Sequence, residues 1–268
     1  MNKYPLVTIN ERTLGPYFEG NVFVWDIDKT YLDTHFSSLK GLSRIPIEFA
    51  QDKKSVAGMP EILRGLRRGG EAGIACHPLY FVSASPALLR SVIEHKMQLD
   101  GVEYDGFTFK DWPLILRRLQ PWRLSHQFGF KVSALLEGRL ERPMSTEYLF
   151  GDNAEMDPKA LTFYSYIVNL SSSQDEIQQK LDQMDVRQQD KRCILQLTAN
   201  LPLQRGTVKG IYIRQVNTQK PSFESDDTDI YHEFSDAREL GEILYQQNLV
   251  DELTLDQLKN LVRPITLK

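Results

Sequence analysis

Residues 21–33 read NVFVWDIDKTYLD, an apolar run that closes on two carboxylates, Asp26 and Asp28, with Thr30 two positions further on. Asp26 and Asp28 share strand parity, so a continuing strand would turn both to one face, whereas a strand that ends there frees the second to swing out. Unpaired buried carboxylates are costly, and a buried strand has no use for two of them unless a cation lies between. Magnesium meets that condition, because it takes oxygen ligands and usually joins one or two carboxylates to a substrate phosphate. The alternative reading of the same residues is an Asp-rich turn in which Thr30 caps the next element.

Three other stretches carry matching chemistry. PLYFVSASP, 78–86, ends a second apolar run on Ser83, and the Ser85 and Pro86 that come after it read as a helix N-cap and first helical residue. A hydroxyl at a strand's carboxyl end, beside free helix N–H donors, suits a phosphate oxygen. FGDNAEMDP, 150–158, closes a further run on Asp152, which fits a third metal ligand, and on Asp157, which before Pro158 also reads as an N-cap. Lys131 begins a helical pattern, the wrong end of a helix for a cation by the dipole rule, and there it can neutralise a phosphate and the acids around it.

The elements that must position these groups are set by periodicity. Short apolar runs at 22–25, 78–84, 106–110, 147–152 and 210–216 read as buried strands. Helical patterns lie between them, EILRGLRRG after Pro60, ALLRSVIEHKMQL after Pro86, KVSALLEGRL from Lys131 and ALTFYSYIVNL after Pro158. The alternation predicts an α/β fold, a doubly wound and mostly parallel sheet, in which ligands collect at the carboxyl ends of the strands. Residues 33–57 are too polar and irregular for core and read as a small flap beside the site. Residues 171–206 read as a helical insertion, and 235–268 as C-terminal helices closing the sheet, with Ser235 as N-cap.

Length and charge bound the function. A chain of 268 residues with 41% hydrophobic content can bury the core of one large α/β domain, here taken as 1–268. The net charge of −4 lacks the phosphate-neutralising surface of a general nucleic-acid binder. Two cysteines, Cys76 and Cys193, read as buried thiols in a reducing cytoplasm. Neither a signal-peptide core at the N-terminus nor a run of about 20 apolar residues is present, so the expected location is cytoplasmic or peripheral to a membrane.

D-x-D-x-T, a strand-terminal serine, a lysine and G-D-x4-D, in this order, resemble the haloacid dehalogenase-like phosphatase superfamily. DIDKT, YFVSASP, Lys131, GDNAEMDP and IYIRQV together resemble the catalytic domain of the actin-patch phosphatidate phosphatase family, over about residues 20–216. Lys29 departs from that family, which commonly carries an acid there, and 171–206 exceeds its usual link. The resemblance implies Asp26 as nucleophile, Asp28 as general acid and base, Thr30 orienting Asp26, Ser83 donating to a phosphoryl oxygen and Lys131 balancing charge. It implies Mg²⁺ held by Asp26, the main-chain carbonyl of Asp28 and Asp152, with Asp157 in support. No large cap domain is expected, which suits a bulky phosphorylated substrate such as a phosphatidate-like lipid at a membrane surface. Trp25, Tyr31, Phe36 and Trp112 are candidates for apolar contact at the mouth, though core is the plainer reading of each, and Arg44, Arg117, Arg118 and Arg123 are candidates for drawing in an anion. The alternatives are a phosphatase of a nucleic-acid end or a phosphoprotein, and a catalytically silent binding module.

Overall fold

The apolar runs that close on polar residues are strands of one seven-stranded sheet. In the computed structural model the described residues are 4–33, 54–70, 76–120, 126–170, 173–217 and 229–261. The strands are β1 (Leu6–Asn10), β2 (Asn21–Asp26), β3 (Leu79–Pro86), β4 (Gly106–Lys110), β5 (Thr146–Asp152), β6 (Val208–Arg214) and β7 (Tyr231–Phe234). The helices are α1 (Met59–Arg68), α2 (Arg90–Leu99), α3 (Trp112–Arg117), α4 (Phe128–Glu141), α5 (Asp157–Asn169), α6 (Gln174–Gln183), α7 (Gln188–Ala199), α8 (Ala237–Gln246) and α9 (Glu252–Asn260). Spatial order is β1-β4-β3-β2-β5-β6-β7, with every pair parallel except β1 and β4. From β2 the chain builds outward first through β3 and β4, then returns to build through β5, β6 and β7. The order therefore reverses between β2 and β5, and in sheets of this kind ligands collect at the carboxyl ends of such a switch point.

Strand alternation divides the core between two helical layers. Val22 and Val24 face α4, α5, α6 and α7, packing with Phe130, Leu135, Leu136, Tyr164 and Ile194. Phe23 and Trp25 face α1, α2, α8 and α9, packing with Ile62, Leu63, Met97, Leu240 and Leu258. On this second face an aromatic ladder crosses four strands, with Trp25 stacked on Phe150 at 4.1 Å, Phe150 on Tyr212 at 4.7 Å and Tyr212 on His232 at 5.3 Å. Trp25 and Tyr31 are fully buried, so both belong to the core and not to the mouth.

Several expectations need correction. The strand pattern did not predict β1 or β7, which are edge strands with mixed exposure, nor the short helix α3. α4 starts at Phe128, so Lys131 lies in its first turn and does not open it. Ser85 is not a helix N-cap nor Pro86 a first helical residue: the strand runs on through Pro86, which stands at the N-cap of a 3-10 helix, Ala87–Leu89, with no side-chain bond. The cap of α8 is Asp236, whose carboxylate accepts from the N–H groups of Arg238 and Glu239, and not Ser235. Cys76 is exposed and Cys193 half-buried, neither in a disulfide among the described residues, in place of two buried thiols. Within the segment 171–206 the described residues form α6 and α7, laid against the α4 and α5 layer. Among the described residues no helix is long and apolar enough to cross a membrane.

The opposite end of β5 is fixed by a buried ionic network. The Glu147 carboxylate lies 2.8 Å from the Arg139 guanidinium and 3.3 Å from that of Arg142, and it accepts from the Tyr164 hydroxyl at 2.5 Å. Glu147 and Arg139 are both fully buried. Breaking a buried pair by removing one partner costs about 3–5 kcal/mol. Glu147→Ala is expected to lower the midpoint of thermal unfolding by about 10 °C, since each kcal/mol is worth about 2–4 °C in a chain of this size. Calorimetry on the purified variant checks this.

Candidate active site

Asp26 is the last residue of β2 and shares the parity of Val22 and Val24, so its carboxylate faces the layer in which α4 lies. There Lys131 Nζ donates to Asp26 Oδ1 at 2.8 Å. The same ammonium donates to Asp157 Oδ1, and Glu155 Oε2 stands 4.0 Å away. Asp157, the first residue of α5, turns inward: its Oδ2 accepts from the main-chain N–H of Asp152 at 3.2 Å. It therefore does not serve as the helix cap, a place taken by Met156 without any side-chain bond. Gly151 makes room for it, because a Cβ there would meet Asp157 Oδ2 at 2.6 Å. Asp152 closes β5, beside β2, and is fully buried.

The loop after β2 holds the remaining groups. Lys29 adopts a left-handed conformation, φ 62°, and its N–H bonds the Leu32 carbonyl at 2.7 Å. That turn brings Thr30 back over the strand end, where its hydroxyl lies 3.4 Å from Asp26 Oδ2. Asp28 faces the other neighbour, β3, and its Oδ2 accepts from the hydroxyls of Ser83 at 3.0 Å and Ser85 at 2.9 Å. Residues 31–33 and 54–56 pair with each other at the root of the expected flap, through Val56 N–H to the Tyr31 carbonyl and Asp33 N–H to that of Lys54, both 2.8 Å. The rest of that flap, 34–53, with Phe36 and Arg44, lies outside the described residues, as does Arg123.

One ammonium serves three buried acids, and the titration of the acids reflects it. Burial, followed by the charges of Asp157, Asp152 and Asp28, holds the Asp26 carboxyl well above the usual carboxylate range against the pull of Lys131. Burial and then Asp157 push Asp152 up to about 7, opposed by Lys131 and by the Ala154 N–H. Burial works to lower the Lys131 ammonium, but Asp157 and Asp26 outweigh it and keep the group firmly charged. Such a cluster suits a hard cation. Asp26, Asp152 and Asp157 each offer an oxygen within 4.8 Å of the others. Asp152 Oδ2 is buried and has no hydrogen-bond partner among the described residues, an arrangement that is costly unless a ligand completes it. The donor set is all carboxylate oxygen, which favours a hard divalent ion over zinc or copper.

No family model, curated protein or solved structure matches the chain. The geometry therefore stands on its own. It brings together Asp26, Thr30, Lys131, Asp152 and Asp157, and it sets the Asp28 side chain one strand over, on Ser83, apart from the three-acid group. Ser83 bonds Asp28 and leaves Asp26 to Thr30 and Lys131. Arg117, exposed on α3, and Arg118, just past it, come after the carboxyl end of β4, and Trp112 donates to the Ala84 carbonyl at 2.9 Å. Periodicity alone did not single out Arg214, which ends β6. Its Nη1 donates to the Lys29 carbonyl at 2.6 Å and so braces the left-handed turn. Burial lowers this guanidinium, and Asp33 and Asp152 act in the opposite sense. The signal was present: Arg214 closes an apolar run, as Asp26 and Asp152 do.

Proposed function

We propose that this chain is a Mg²⁺-dependent phosphomonoester phosphatase of the haloacid dehalogenase-like type. The observation that carries the reading is the convergence, at the switch point of the sheet, of Asp26, Lys131, Asp152 and Asp157 from three separated stretches of chain, with Asp28 alongside on Ser83. The order of these groups along the chain is the one that the resemblance to that superfamily requires. Asp26, Asp152 and Asp157 would hold the ion, with the main-chain carbonyl of Asp28. Bound there, it would offset negative charge so that one anion can approach another.

The chain's own residues carry the transfer. A carboxylate oxygen of Asp26 attacks phosphorus in line, the ester P–O bond breaks, and Asp28 gives its proton to the departing alkoxide oxygen. Asp28 then takes a proton from water, whose oxygen attacks the aspartyl-phosphate. Inorganic phosphate leaves and the Asp26 carboxylate is restored. Thr30 and Lys131 keep Asp26 aimed, and Lys131 stabilises charge on the transferring group. Ser83 exchanges its bond to Asp28 for one to a phosphoryl oxygen.

Purified protein with Mg²⁺ is expected to release phosphate from p-nitrophenyl phosphate, and Asp26→Asn to lower that release by at least three orders of magnitude while keeping the circular dichroism of the fold. Equal inertness of both proteins across a broad phosphomonoester panel would favour a silent binding module. The same resemblance extends the proposal to phosphatidate-like lipid. Short-chain phosphatidate in micelles, a phosphopeptide and a phosphorylated oligonucleotide, run side by side, test the substrate class.

A further inference from the structure

A hydroxyl that the sequence offers as a helix cap is aimed elsewhere. In a regular strand, residues two apart lie about 6.6–6.8 Å from one another, so their hydroxyls meet on one atom only where both lean toward it. Ser83 and Ser85 do converge, both donating to Asp28 Oδ2, at 3.0 and 2.9 Å. The cause is local. The register of β3 against β4 passes from the Ser83–Phe109 pair straight to the Pro86–Lys110 pair, so Ala84 and Ser85 are extra residues opposite a continuous partner strand. Bulges of this kind re-aim side chains and gather beside active sites. This one is held from two sides. Ser85 N–H bonds Ser83 Oγ at 3.0 Å, and the Trp112 indole N–H bonds the Ala84 carbonyl at 2.9 Å.

We infer that Ser85 is a positioning residue for Asp28, fixing the acid and base where it meets the leaving oxygen while Ser83 is released to the phosphoryl group. The inference rests on the phosphatase reading. Without Ser85, Ser83 has two tasks that exclude each other, since one hydroxyl proton cannot be given to Asp28 and to a phosphoryl oxygen at once. With Ser85, Asp28 keeps the Ser85 hydrogen bond throughout the cycle, charge-assisted whenever the carboxyl is ionised.

The test is the dependence of rate on the leaving group. An alkyl phosphate needs its departing oxygen protonated, whereas p-nitrophenolate leaves readily without help. Ser85→Ala is expected to lower kcat/KM, which reports transfer to Asp26 and not the later hydrolysis common to both substrates, at least tenfold more for an alkyl phosphate than for p-nitrophenyl phosphate, and Ser85→Thr is expected to restore most of the loss. Equal losses on the two substrates, or none, would overturn the role given to Ser85 and leave the phosphatase reading intact. Wild type inert on both substrates would instead remove the reading on which it rests.

Discussion

Asp152→Asn is expected to raise the thermal stability of the metal-free protein and to abolish its response to Mg²⁺. Asp152 is buried beside two further carboxylates, and one of its oxygens has no hydrogen-bond partner among the described residues. Its carboxyl is pushed up to about 7, against about 3.8 for the unperturbed group. A carboxyl whose folded pKa exceeds its unfolded one opposes folding once it is ionised. Stability is therefore full at pH values below the unfolded pKa, and it falls as pH climbs through the folded one. At pH 8 without divalent ions the wild type bears this cost, on the order of 4 kcal/mol. The amide variant, isosteric and neutral, is relieved of it and should melt about 10 °C higher. At pH 5.5, between the unfolded and folded values, about half of this cost remains and the gap between the two melting points should narrow accordingly. Mg²⁺ at pH 8 should raise the wild-type midpoint and leave the variant where it was, because binding to the folded state alone stabilises by mass action. Scanning calorimetry at the two pH values, with and without Mg²⁺, is sufficient. A variant that melts lower than wild type at pH 8, or that keeps the Mg²⁺ shift, would remove Asp152 from the cation site.

Lys131→Met is expected to act in the opposite direction on stability and in the same direction on activity. The ammonium bonds Asp26 and Asp157 and is itself almost fully buried, so its loss strands two buried carboxylates without their cation. Removal of one partner of such a pair costs about 3–5 kcal/mol. For this chain that is a fall of about 10 °C at pH 8. Acidification or Mg²⁺ should recover part of it, since either one reduces the repulsion among Asp26, Asp152 and Asp157. Phosphate release per folded molecule should fall by about two to three orders of magnitude, the usual consequence of removing a preorganised electrostatic donor. A stable Lys131→Met protein with wild-type kcat would contradict the role given to this lysine.

These two variants pull apart stability and activity because the cluster is built against the interest of the empty fold. Three buried acids around one cation leave a negative excess that protonation or a bound cation has to offset, and selection for folding alone would have placed apolar residues there. The same reasoning explains why the aromatic ladder of Trp25, Phe150, Tyr212 and His232 lies on the other face of the sheet. That face has only packing to satisfy. The face toward α4 has to end in charge.

Local pattern made the central strands and their functional end readable in the sequence. Apolar runs ending on Asp26, Ser83 and Asp152 marked both the parallel strands and the end of the sheet where they close, because a buried strand tolerates a carboxylate only at its end. The edge strands were not legible. LVTIN alternates weakly and YHEF is polar at half its positions, so neither carries the continuous apolar signal of a strand covered on both faces. Ser85 before Pro86 has the signature of a helix cap, yet a residue that precedes proline is equally driven toward extended backbone, and here the extended alternative prevails. Asp157 before Pro158 has the same ambiguity. It is decided by Lys131, 26 positions away in the chain, which no local window contains. The Arg214 contact with the Lys29 carbonyl spans 185 positions and depends on β6 lying two strands from β2, a fact of topology and not of spacing.

The central claim is that the carboxylate of Asp26 becomes covalently bonded to the phosphorus of substrate. Acid quenching during turnover of p-nitrophenyl phosphate with Mg²⁺, and then borohydride reduction, converts an aspartyl-phosphate to homoserine. Peptide mass spectrometry is predicted to find homoserine at position 26 and at no other aspartate. Active protein that yields no homoserine at position 26, or yields it at Asp28 or Asp152 instead, would contradict the account.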